Sequence, residues 1–158
     1  MNLNELAREC HQIARDKGFW DGIEPLDGEP TVEQWGMIWK QVCHLFSEYA
    51  EYEEATNVGT YWQEELADVA IVLLDLCAFL GVDLGGADYW HPISVWWATG
   101  DFASTLRKDG VDVDALSISA IYIIGNLLTI LGDDLEGEIR KKMDKNRARL
   151  HRYGVHDG

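Results

Sequence analysis

Between Leu66 and Leu80 the chain is apolar at every position except Asp68 and Asp75, and Gly81 follows at once. A helix that is apolar nearly all round has to be surrounded by other elements. This segment therefore sets the centre of the fold, with Gly81 as its C-cap and a capping box of Thr60 and Gln63 ahead of it. The rest of the chain reads as what surrounds it.

Asn2 with Glu5 starts a first helix, in which Leu3, Leu6, Ala7, Cys10, Ile13 and Ala14 recur at helical spacing as far as about Lys17. Gly18, Gly22, Pro25, Gly28 and Pro30 make the next stretch a loop, which Phe19 and Trp20 pin to the core. Thr31 with Gln34 caps a second helix from Val32 to about Thr56. Pro92 opens a fourth helix reaching about Leu106, Asp114 a fifth ending near Gly132, and Leu135 a sixth reaching about His151. No segment alternates with period two over a sustained run, so the expectation is an all-α bundle forming one domain over residues 1–158.

With 47% hydrophobic and 26% charged residues, a chain of 158 can bury a core of its own. No run reaches the roughly 18 uninterrupted apolar residues of a membrane helix. Met1 to Gly18 mixes polar and apolar residues where a signal peptide would run apolar. A cytoplasmic protein with no membrane partner is expected. Cys10, Cys43 and Cys77 are odd in number and lie among apolar neighbours, which reads as reduced core residues. The net charge of −15 argues against nucleic acid polymers, because a phosphate-backbone binder needs a basic surface. So acidic a balance means either a solvated surface or carboxylates gathered to hold cations.

A weak repeat overlays 68–87 on 119–138, where Leu80, Gly81, Asp83 and Leu84 meet Leu131, Gly132, Asp134 and Leu135. The second copy has Leu116 and Ser119 where the first has Glu65 and Asp68. It is either a duplication whose later half kept packing and lost its acids, or two helices ending in a similar glycine turn.

The positions of the acids narrow the choice. Helix two carries Glu48 and Glu51, and helix three begins with Glu65 and Asp68, each an i, i+3 pair. That spacing puts both carboxylates of a pair on one face, so two facing helices can converge four acids on one point. On helix two alone, Glu48, Glu51, Glu53 and Glu54 also read as a solvated face. Asp68 runs straight into the buried segment and needs a partner there, and Asp75 on the same face reads as a structural acid with a polar or cationic neighbour. Oxygen-only ligands select a hard cation such as magnesium, with manganese as substitute, and no Glu-x-x-His pair of the di-iron bundles occurs. On the last helix, Lys142, Asn146 and Arg149 stand at i, i+4 and i+7, either a strip of donors suited to a phosphate chain or an ordinary basic C-terminal helix.

Together these residues resemble the MazG-like all-α nucleoside triphosphate pyrophosphohydrolases, marked by Glu-x-x-Glu followed after a gap by Glu-x-x-Asp. Here thirteen residues separate Glu51 from Glu65. The resemblance extends to Lys17-Gly18-Phe19-Trp20, to Leu80-Gly81-Val82-Asp83-Leu84 and to Lys142-Met143-Asp144-Lys145-Asn146-Arg147. It implies magnesium-dependent cleavage of a triphosphate to a monophosphate and pyrophosphate. Glu48, Glu51, Glu65 and Asp68 are then metal ligands. In such a site one glutamate takes the proton of the metal-activated water, and Glu48 is the candidate for that role. Lys142 and Asn146 match the family's late Lys and Asn; these two and Arg149 are the expected substrate-phosphate contacts. A homodimer or dimer of dimers is implied as well, while the segment of about 85–134 is an insertion relative to the family's short members. The base would stack on an aromatic ring, for which Trp20, Trp35 and Trp39 are candidates. The rival reading is a non-catalytic helical module that binds a nucleotide or a protein partner through a surface including Trp90, Trp96 and Trp97.

Overall fold

The computed structural model describes residues 1–86 and 94–149, and those residues form six helices and no strand. They are α1 (Leu3–Asp16), α2 (Val32–Val58), α3 (Trp62–Leu80), α4 (Val95–Asp109), α5 (Val113–Leu131) and α6 (Asp134–Ala148). The all-α expectation holds. α3 packs against α1, α2, α5 and α6, while α4 pairs with α5 and touches α2. Twelve of the nineteen residues of α3 are buried, Leu66, Leu73 and Leu74 completely, as its sequence demanded.

The helix ends show which local signals won. Asn2 and the Thr31–Gln34 box cap α1 and α2 as expected. The Thr60–Gln63 box does not form, and the Thr60 amide finishes α2: it bonds the Ala55 carbonyl at 3.0 Å while Gly59 turns left-handed at φ 74°. Tyr61 then stands at the N-cap of α3 with no side-chain cap. Asp112, two residues earlier than expected, caps α5 through the Ala115 amide at 3.1 Å. Pro92, Trp90 and the expected end of the last helix near His151 lie outside the described residues.

The overlaid turns part after their glycines. Gly81 closes α3 at ψ 26°, with Val82 donating back to Cys77, and an irregular stretch follows. Gly132 sits at ψ −138° and leads almost directly into α6. The shared letters therefore do not build a shared turn. The cysteine expectation is corrected at one position: Cys10 and Cys77 are buried free thiols, but Cys43 faces solvent on α2. α5 is long and apolar enough, by length and composition, to cross a membrane; here it buries Leu116, Ile123, Ile124 and Leu127 against its neighbours and exposes Ile118 and Ile130.

Candidate functional site

The packing of α2 on α3 brings Glu48, Glu65 and Asp68 together, with one ligand oxygen of each lying within 4.8 Å of the others and all three half-buried. Glu51 does not join them and is exposed. A helix advances about 100° per residue, so from Glu48 the i+3 position swings about 60° one way and i+4 about 40° the other. The residue that faces α3 one turn on is accordingly Tyr52, whose ring meets that of Trp62 at 6.4 Å. The same geometry separates Glu64 from Glu65: Glu64 turns toward α6, where it pairs with Lys145 and lies 3.7 Å from Lys142. The expected convergence of four acids is thus one of three.

Asp68 has the partner its burial required, the Lys142 ammonium at 2.6 Å. Desolvation nonetheless dominates, and with Glu48 and Glu65 nearby it lifts the Asp68 carboxyl to about 6 despite Lys142. Burial pulls Lys142 downward, but the hydrogen bond and charge of Asp68, with Glu64 and Glu65, hold it above the usual lysine value. Lys142 therefore does not stand free as a phosphate contact; it is locked to an acid of the cluster. On α6 only Lys142 and Asn146 share the helix, because Arg149 is its C-cap in extended conformation (φ −72°, ψ 152°).

A cavity of about 350 Å³ opens beside the acids. Glu48 and Asp68 line it, as do Asn146 and Arg149, and Ile13, Phe19, Ile71 and Val72 supply apolar wall. The Asn146 Oδ1 is buried without a hydrogen-bond partner among the described residues. Lys17 closes the far end of α6 by donating to the carbonyls of Arg147, at 2.6 Å, and Arg149.

Asp75, two turns deeper on α3, lines the same cavity and is saturated with partners. The indole of Trp20 donates to its two oxygens at 2.9 and 3.1 Å, and His11 Nδ1 lies 2.6 Å away. Arg15 Nε donates to His11 Nε2 at 3.0 Å, so Nε2 accepts and the Nδ1 proton goes to Asp75. Burial raises the Asp75 carboxyl, and His11 and Trp20 only partly offset it. The expected polar neighbour of Asp75 is therefore a His–Trp pair. It also removes Trp20 from the candidate base-stacking residues: the ring is buried, with Phe79 stacked on it at 4.2 Å. Trp35 and Trp39 are partly buried against the core. Trp96 packs on Phe46 and Tyr49, and Trp97 is 57% exposed.

Two site residues were not singled out from the sequence. His44 Nε2 lies 2.7 Å from Glu48 Oε1, a contact that the i, i+4 spacing on α2 could have suggested. His11 meets Asp75 across 64 positions of sequence, with no local signal. No family model, curated protein or solved structure matches the chain.

Proposed function

We propose that the chain is a magnesium-dependent nucleoside triphosphate pyrophosphohydrolase of the MazG-like all-α kind, cleaving between the α and β phosphates to give a monophosphate and pyrophosphate. The observation that carries the reading is the convergence of Glu48, Glu65 and Asp68 from two helices beside a cavity with apolar walls. The donor set fits a hard divalent cation. It is all oxygen, and three carboxylates gathered this closely repel one another unless a cation lies between them. Glu48, Glu65 and Asp68 would hold magnesium, or manganese in its place, while Glu51 is too far round the helix to join without moving. When bound, the cation neutralises phosphate oxygens and acidifies a water.

The chain's own residues divide the remaining work. Glu48, held on one side by His44, accepts the proton of the attacking water. Lys142 keeps Asp68 ionised and in place from the α6 side. Asn146 and Arg149, further along the same wall, offer an amide and a guanidinium to the triphosphate. Ile13, Phe19, Ile71 and Val72 exclude water from the nucleoside end, in a volume within the usual range for small-ligand pockets. A cytoplasmic homodimer or dimer of dimers belongs to the same proposal. Exposed Trp97 beside Trp96 favours a second reading, an interaction module without turnover.

Pyrophosphate release from a panel of NTPs and dNTPs, with and without magnesium, separates the two. Release that needs the metal and is lost in a Glu48→Gln, Asp68→Asn double variant is the expected result. No release from any nucleotide at high protein concentration would leave the interaction module standing.

A further inference from the structure

We infer that His44 is a positioning residue for Glu48, and that the strength with which the acid cluster binds a divalent cation depends on the hydrogen bond between them. The inference rests on reading Glu48, Glu65 and Asp68 as metal ligands. Gln41, His44 and Glu48 follow one another along α2 and line the same cavity. His44 Nε2 stands 2.7 Å from Glu48 Oε1, and His44 Nδ1 stands 3.4 Å from Oε1 of Gln41, which is buried. The imidazole is thus bracketed at both nitrogens.

A glutamate has three rotatable bonds, and fixing it costs side-chain entropy. In this cluster the neighbouring Asp68 and Glu65 also repel it. Asp68 is held from another helix by Lys142; Glu48 is held from its own helix by His44. A donor on one carboxylate oxygen leaves the second oxygen to face the cluster, as outer partners of metal-bound carboxylates do. An i, i+4 side-chain pair adds only about 0.2–0.5 kcal/mol to a helix. Support for α2 is therefore a poor account of why the two residues meet.

The test is a titration of the whole chain with Mn²⁺ alone, followed by electron paramagnetic resonance, for wild type, His44→Ala and His44→Gln, with thermal unfolding of each. We expect His44→Ala to weaken Mn²⁺ binding about 10- to 100-fold with little change in melting temperature. The side-chain amide of His44→Gln, itself a donor, should recover most of the loss. Wild-type affinity in His44→Ala, or equal weakening in both variants, overturns the positioning role alone. Absence of Mn²⁺ binding by the wild type overturns the metal site itself and this inference with it.

Discussion

α3 and α5 are both nineteen residues long, both end at a glycine, and both wall the core, yet they treat their polar residues in opposite ways. α3 buries Asp75 and half-buries Asp68 and Glu65, and each of the two aspartates reaches a partner on a helix or loop far away in sequence. At the overlaid positions α5 carries Leu116, Ser119 and Asn126. Leu116 is fully buried, Ser119 donates to Asp101 of the adjoining α4, and Asn126 donates to the Tyr122 carbonyl of its own helix at 2.7 Å. At these overlaid positions α5 thus satisfies its polar groups within its own hairpin, as a scaffold does, while its Ser117 donates to the Asp83 carbonyl. α3 holds carboxylates where burial resists their charge, which costs stability and is characteristic of functional sites.

The largest effect that would sharpen this contrast is on stability in the hairpin. Phe102 of α4 is fully buried, and Phe102→Ala should lower unfolding free energy by about 3–5 kcal/mol in denaturant titration, while the folded fraction keeps wild-type Mn²⁺ affinity. Loss of metal binding in the folded variant would break the division of labour. Next, Asp68→Asn should cut pyrophosphate release by at least about a hundredfold, some 2.7 kcal/mol of transition-state stabilisation, whereas Ser119→Ala at the overlaid position should leave the rate within about twofold.

The third prediction is a pH dependence. The Asp68 carboxyl is raised from 3.8 to about 6 in the fold. Between those values the folded state keeps a proton that the unfolded state has released, so stability falls as pH rises through the window. The full loss is roughly 3 kcal/mol from Asp68, and Asp75 acts in the same direction. Melting curves from pH 4 to 7 should show the decline, and Asp68→Asn should flatten it. Magnesium should raise the melting temperature more at pH 7 than at pH 5, because protonated Asp68 is a poor ligand. The smallest effect is that of Ser119→Ala on unfolding, about 1 kcal/mol for one lost hydrogen bond.

The frame of this fold was legible because its signals are local and repeated. The apolar run of α3 places that helix at the centre, and Asn2 and Thr31 start their helices as written. Where two local signals compete for one residue, the sequence does not rank them: the Thr60 amide closes α2, and α3 starts at Trp62 with Tyr61 rather than Thr60 at its N-cap. Within the site, the pairing of Glu65 with Asp68 was readable, since both lead into a buried run. Glu51 was not separable from Glu48, because i+3 and i+4 share a face only until a second helix selects one of them. Lys142 read as a donor for phosphate, and that Asp68 is its partner depends on how α6 packs on α3. The joining of His11, Trp20 and Asp75 likewise depends on the packing of α1 against α3.

Identifying the products tests the proposed reaction most sharply. Phosphorus NMR of a nucleoside triphosphate incubated with the protein and magnesium is predicted to show the α–β bridge broken, with monophosphate and pyrophosphate appearing in equal amounts and neither forming with Asp68→Asn. Diphosphate with inorganic phosphate, or an unchanged triphosphate, would rule out cleavage between the α and β phosphates by this chain.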